Sequence, residues 1–325
     1  MFASPNACSA MATPSPATID MSPSGASITT NPIPASTLAV TAMLSVQLGS
    51  ALSVGLIGEV GAAGTAWLRL TAGALIFLAI ARPPLRSIRR RDVPVIVGLG
   101  VATGLMTIFF LAAIERIPLG TAVAIEFLGP LTVAAVRSHS ARALTWPALA
   151  LVGVVLLTEP WSGTADLLGI GFAVISGICW GVYIVLTQRV GDRFTGITAL
   201  SLTIPVAAVA AAIVGVPQAA GNISLSVIVT AIGLALLLPV LPFALEMLAL
   251  RRMTPNAFGT LMAIEPALAV ILGLIVLQQT PAFFQIVGIL IVVTAGAAAQ
   301  RGGQRGGQRG GQRIPPLVVA KKLFE

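Results

Sequence analysis

The heptapeptide GTAVAIE at Gly120–Glu126 returns as GTLMAIE at Gly259–Glu265. In both copies a Gly-Thr pair opens the motif, Ala-Ile precedes the glutamate, and a proline follows soon after, at Pro130 and Pro266. The copies fall in the fourth and the ninth of ten apolar stretches, so the repeating unit comprises five helices. A unit with an odd number of helices mounts its second copy upside down in a bilayer. Inverted repeats of this kind are typical of transporters.

The composition indicates a membrane protein. Of its 325 residues, 56% are hydrophobic and only 9% are charged, whereas soluble domains carry roughly 25% charged residues. Uncharged apolar stretches recur from Ser36 to Gln300, each near the ~20 residues that span the hydrocarbon core. The sequence therefore predicts an all-α polytopic membrane protein.

The apolar stretches divide the chain into four regions. A Ser/Pro-rich tail at 1–35, predicted to be disordered, precedes the first five-helix repeat at 36–158. The second repeat covers 168–300, and a basic Gly/Arg-rich tail covers 301–325. The ten predicted helices are 36–56, 62–81, 93–114, 118–136, 144–158, 168–188, 195–215, 224–248, 257–277 and 283–300.

The positive charges of the loops predict the orientation. Lys and Arg concentrate on the cytoplasmic side of membrane proteins, and 17 of the 19 basic residues fall in the C-terminal tail and in alternate loops, such as Arg82–Arg91. In the other loops Arg116 is the only basic residue, and several acidic residues accompany it. Both termini are therefore predicted to be cytoplasmic.

The C-terminal tail contains the run RGGQRGGQRGGQR at 301–313. Gly/Arg segments can bind RNA, but a basic tail next to a membrane span more often lies against anionic lipid. We expect no nucleic-acid partner.

Three stretches resemble a known family. AVAIEFLGPLTVAA, SGICWGVYIVLTQRVG and LPFALEMLALRRMTPNAFGTLMAIEPALA are similar to the drug/metabolite transporter superfamily, to its EamA group, and most of all to the threonine/homoserine exporter branch. The resemblance covers about 36–300. It implies a ten-helix efflux carrier of the bacterial inner membrane that exports small amino acids or related metabolites with the proton gradient. The two tails depart from the family pattern.

Four charged residues fall inside predicted helices, where an ionisable group costs about 2.5–3.5 kcal/mol and usually faces a cavity or a partner. Glu126 and Glu265 lie at similar depth near the midplane. One of them could carry a proton while the other holds a substrate ammonium group. Alternatively, each carboxylate could bond to backbone freed by Pro130 or Pro266.

Arg69 and Glu246 are the other two charged residues. Arg69 could grip a substrate carboxylate with two parallel hydrogen bonds, could pair with Glu126, or could reach the outer interface. Glu246 lies near the cytoplasmic end of its helix, where an ion pair with Arg251 or Arg252 is the favoured interpretation.

Trp180 and Tyr183 are candidates for the cavity wall because aromatic rings attract ammonium groups, although packing is the commoner role of such residues. Pro205, Pro239 and Pro242 are candidate helix kinks.

Other classes of function fit less well. An intramembrane enzyme would need a nucleophile with its base or paired aspartates, yet no aspartate lies in a predicted span and His139, the single histidine, lies in a loop. We expect no enzymatic activity, cofactor or metal. A channel would favour rings of like charge, so a channel or scaffold is a weaker alternative. Export of another small solute, such as a drug, a purine or a nucleoside, stays open.

Overall fold

The computed structural model describes residues 34–81, 89–137, 144–162, 165–191 and 196–309. Residues 1–33 of the tail predicted to be disordered (1–35), most of the arginine-rich loop, and the tail beyond Arg309 lie outside the described residues. Within them, helices are the only regular secondary structure, as expected of a chain that must satisfy its backbone polar groups internally in lipid. The prediction of an all-α polytopic membrane protein is confirmed.

Twelve α-helices make up the described chain: α1 (Ala35–Ala81), α2 (Val93–Ile114), α3 (Leu119–Glu126), α4 (Leu128–Arg137), α5 (Thr145–Thr158), α6 (Leu167–Gly191), α7 (Gly196–Ala219), α8 (Leu225–Ala235), α9 (Leu241–Leu250), α10 (Pro255–Met262), α11 (Glu265–Leu277) and α12 (Phe283–Arg309). A 3₁₀ turn at Pro160–Ser162 and a π-helical segment at Leu236–Val240 complete the set. Seven helical stretches in the described parts are long and apolar enough to cross a membrane, and two shorter apolar helices accompany them.

The 47-residue helix α1 reverses direction at Gly61, where the backbone leaves helical geometry with φ 76° and ψ 168°. Arg69 donates a 3.1 Å hydrogen bond to Ser53, although 16 residues of a straight helix would separate them by about 24 Å. Gly49 and Gly73, each 12 residues from Gly61, lie against the neighbouring residues Leu238 and Pro239. The two arms of α1, 35–60 and 62–81, therefore run side by side, as the predicted break between 56 and 62 requires.

Gln218 of α7 stabilises this reversal. Its side-chain Oε1 accepts hydrogen bonds from the backbone N–H groups of Ala63 (2.7 Å) and Gly64 (3.1 Å). The first N–H groups of a helix have no partner within the helix. Gln218 thus caps the second arm of α1.

Several predicted spans are interrupted. The span 118–136 divides into α3 and α4 at Phe127, and 257–277 divides into α10 and α11. The span 224–248 contains the π-helical segment, where Leu238 is extended just before Pro239, so the candidate kink at Pro239 is present. Pro205, by contrast, lies inside the continuous helix α7.

The helices pack mainly with partners from the other half of the chain. The first arm of α1 contacts the π-helical segment, α9, α10 and α11, and the second arm packs on α7. Helix α6 packs on α2, α3 and α4, α5 on α12, and α3 on α11. Large apolar side chains such as Val209 and Ile213 stay exposed on the outside, as expected of a surface that faces lipid.

Candidate substrate and proton site

The helices that carry the two repeated glutamates are interrupted beside the glutamate. Glu126 is the last residue of α3, and Glu265 is the first residue of α11. Pro130 and Pro266 follow, and because proline has no N–H, each removes one hydrogen bond from the preceding turn. Discontinuous helices of this kind commonly form the binding sites of transporters.

The side chain of Glu126 bonds to Ser176 of α6. The Ser176 hydroxyl lies 2.5 Å from Glu126 Oε1 and 3.0 Å from the carbonyl oxygen of Met106. Glycines allow this approach: a Cβ at Gly177 would lie 2.9 Å from the Glu126 carbonyl oxygen, and one at Gly129 would overlap the Gly177 backbone. The backbones of α4 and α6 therefore touch, and Ser176 reaches the carboxyl group.

The side chain of Glu265 bonds to Gln47 in the first arm of α1. Gln47 Nε2 donates to Glu265 Oε1 over 3.1 Å, and both residues are buried, at 2% and 7% exposure. The other two side-chain oxygens, Gln47 Oε1 and Glu265 Oε2, are buried without a hydrogen-bond partner in the described structure. Neither glutamate uses freed backbone as its side-chain partner there, so that alternative is not what the structure shows.

Arg69 lies in the second arm of α1 and is only 4% exposed. Its Nη1 donates to Ser53, a neutral partner. No ion pair between Arg69 and Glu126 is found in the described structure. Because the side chain is buried, the interpretation that it reaches the outer interface is also wrong.

All six candidate residues line one cavity of about 320 Å³: Arg69, Glu126, Trp180, Tyr183, Glu246 and Glu265. At ~30 Å³ per water molecule, that volume equals about ten waters and has room for a small metabolite. The wall combines one guanidinium, three carboxyl groups and apolar side chains such as Leu70 and Phe110. A few convergent polar groups on an apolar wall are characteristic of small-molecule sites.

Glu246, for which an interfacial ion pair was the favoured interpretation, also lies on this wall. Trp180 contacts Phe127 edge to face, with ring centroids 6.3 Å apart. It therefore packs against the break between α3 and α4 while it also faces the cavity. Tyr183 follows Trp180 by three residues on α6, so the two rings share one helix face.

Sequence reasoning missed Gln47 and Ser176. Gln47 carried a usable signal, because an amide inside an apolar span is costly unless it faces a cavity or a partner. Ser176 carried none: serine is common in membrane helices, and only the fold brings it to Glu126, 50 residues away in sequence.

The described chain is helical and apolar, and its interrupted helices line a charged cavity, as in polytopic membrane transporters. Residues 167–298 match the model of the EamA-like transporter family. The threonine/homoserine exporter RhtA of Escherichia coli (strain K12) is 36% identical over 262 residues, which cover 78% of this chain and 87% of the relative. The RhtA of Salmonella typhimurium (strain LT2) matches to the same extent.

The chain belongs to the EamA-like transporter family and, within it, to the RhtA-like group, as the sequence resemblance predicted. It is a multi-pass protein of the bacterial inner membrane and a transporter rather than an enzyme. A solved crystal structure with 18% identity and a TM-score of 0.55 shares its fold, over 82% of this chain and 98% of that one.

Proposed function

We propose that this protein exports small amino acids of the threonine and homoserine type in exchange for protons, by alternating access around the cavity. One observation carries the proposal: a single cavity holds a buried arginine and the two repeated glutamates, none of them ion-paired within the described structure. A zwitterion offers the complementary charges. The names of the 36% identical relatives support the same substrate class.

Arg69 is the proposed site for the substrate carboxylate. Burying a charge without an opposite partner is strongly unfavourable, and Ser53 is the only side chain among the described residues that accepts a bond from this guanidinium. A carboxylate can accept two parallel hydrogen bonds from a guanidinium. The guanidinium of Arg69 would therefore have more hydrogen-bond partners when the substrate is bound.

Glu126 is the proposed proton site because of its partner. The hydroxyl of Ser176 has one hydrogen but lies within reach of two acceptors, Glu126 and the Met106 carbonyl. When Glu126 is ionised, Ser176 donates to it. When Glu126 is protonated, it can donate to Ser176, which then donates to Met106. The arrangement therefore accommodates both states of the carboxyl group.

The helix packing supports a ten-helix carrier built from two inverted five-helix repeats. With the arms of α1 counted separately and each broken span counted once, the described helices number ten, as this arrangement requires. Exchanging the halves, with α4 corresponding to α11, matches the packing of α1 on α11 with that of α6 on α4, and it leaves the pair α5–α12 unchanged. The loop charges favour a cytoplasmic location for both termini.

The test uses cells that lack amino-acid exporters and produce wild-type protein, Glu126→Gln or the control Glu59→Gln, whose carboxylate is exposed on α1. We expect wild-type protein and Glu59→Gln to raise resistance to excess threonine and homoserine and to increase both amino acids in the medium. Glu126→Gln should do neither at matched expression. Resistance to purines or drugs without amino-acid excretion would overturn the proposal.

A further inference from the structure

We propose that Gln47 and Glu265 together bind the primary ammonium group of the substrate, which makes Gln47 a specificity-determining residue. The inference rests on the proposed function, since it specifies how the same cavity recognises its solute. The decisive feature is a pair of buried oxygens, one from each side chain, that have no hydrogen-bond donor in the described structure.

The geometry fixes the two side chains against each other. Gln47 donates through Nε2 to Glu265 Oε1, which turns its own Oε1 away from that bond. The first arm of α1 is anchored close by, because Ser45 donates to the Leu237 carbonyl over 2.8 Å and Gly49 packs on Leu238. Gln47 and Glu265 both line the cavity. Two side chains from different helices, each with one unpaired buried acceptor, thus belong to one wall.

The chemistry of the pair selects the ligand. Buried polar atoms are nearly always satisfied, and two acceptors require a group with at least two hydrogens to donate. A primary ammonium has three, a hydroxyl has one and an acylated amine has one. Glu265 adds a carboxylate that has no cationic partner among the described side chains. A cationic primary amine therefore fits the pair, whereas an N-acylated amine satisfies at most one of the two oxygens.

Gln47 is suited to this position because an amide carries a donor and an acceptor. Its donor end holds the Glu265 carboxylate in place, and its acceptor end contributes the second oxygen. A methionine has nearly the same length without either function. A glutamate would place a second carboxylate against Glu265, and the two would repel each other.

The experiment measures binding to the purified full-length protein by displacement of labelled threonine, with threonine, N-acetylthreonine and homoserine as competitors. The variants are Gln47→Met, Gln47→Asn and the control Gln285→Met, the same exchange at a half-exposed residue outside the cavity. Apparent melting temperatures check that each variant is folded, and Gln47→Asn keeps the amide if the methionine variant is unstable.

We expect the wild-type protein to prefer threonine over N-acetylthreonine by at least tenfold. Gln47→Met should weaken threonine binding about tenfold and leave the weak binding of N-acetylthreonine unchanged, because the acetyl compound retains only its carboxylate contact. Gln47→Asn should fall in between, and Gln285→Met should behave as wild type. An equal loss for both compounds would mean that Gln47 only packs, and that result overturns the inference, as does an unchanged preference.

Two further results separate this inference from the proposed function. One is that the wild-type protein binds a primary amine that has no carboxylate, in a manner that depends on Gln47. That result would support the ammonium subsite and contradict the proposal of amino-acid export. If binding of threonine requires sodium and tolerates acylation of the amine, the two oxygens hold a metal cation instead, and the inference is wrong.

Discussion

The reversal of α1 at Gly61 should not tolerate a side chain. The backbone there has φ 76° and ψ 168°, a region that is essentially restricted to glycine. A Cβ would also lie 2.3 Å from Cδ of Gln218 and 2.7 Å from its Oε1. The end of the Gln218 side chain would have to swing away, and its bonds to Ala63 and Gly64 would break.

The magnitude follows from these two effects. Backbone strain of this kind costs about 1–3 kcal/mol. Two net hydrogen bonds at about 0.5–1.5 kcal/mol each add about 1–3 kcal/mol. Gly61→Ala should therefore destabilise the protein by about 2–6 kcal/mol. Gln218→Ala should cost only the hydrogen-bond share, about 1–3 kcal/mol, because the glycine is kept.

The assay is the apparent melting temperature of purified protein, followed by the loss of monodisperse protein on size-exclusion chromatography. At roughly 2 °C per kcal/mol for a large domain, Gly61→Ala should melt about 4–12 °C below wild type, and Gln218→Ala should lie between the two. Gly58→Ala is the control, since a Cβ at that exposed helical position meets nothing within 4 Å. A Gly61→Ala protein as stable as Gly58→Ala would refute the reasoning.

Three further predictions concern the site and its surroundings. Arg69→Lys keeps the charge but loses the two-pronged contact, so the KM for threonine export should rise about tenfold, the equivalent of one charge-assisted hydrogen bond; an unchanged KM would exclude carboxylate binding. Ser176→Ala removes the adaptable partner of Glu126 and should lower proton-driven export about tenfold or more, whereas Ser201→Ala, whose hydroxyl bonds within α7, should match wild type in the same vesicle assay. The backbone N–H of Gly169, together with Arg116, lowers the pKa of Asp166. Its contribution to stability is thus present above its unfolded value of about 4 and is lost as the pH falls through the lower folded pKa. The melting temperature of Asp166→Asn should lack this loss of stability at acid pH. It should equal the melting temperature of the wild type only at the lowest pH.

Much of the fold could be predicted because lipid imposes strict rules. Helix α2 begins and ends at the predicted residues 93 and 114, since charged or turn-forming residues flank an unbroken apolar run. The interruptions were harder to predict. Pro130 and Pro266 predict a weakened helical turn. Only the packing of the fold determines that the two helices are interrupted beside Glu126 and Glu265.

The site shows a similar division. Charges inside apolar spans are rare enough that Arg69, Glu126 and Glu265 could be selected from the sequence, and the structure brings them to one cavity. Their partners could not be selected with the same rule. Gln47 and Glu265 are 218 residues apart, and their contact depends on how α1 packs against α11. Glu246, for which an interfacial ion pair was the favoured interpretation, lines the same cavity.

Counterflow in proteoliposomes tests the central claim that Arg69 belongs to an alternating substrate site. Vesicles loaded with unlabelled threonine are diluted into a trace of labelled threonine, with wild-type protein, Arg69→Gln, and Arg116→Gln as the control at an exposed ion pair. We expect a transient overshoot of label for wild type and Arg116→Gln and none for Arg69→Gln. Passive equilibration without overshoot in the wild type, or an undiminished overshoot in Arg69→Gln, would contradict this claim.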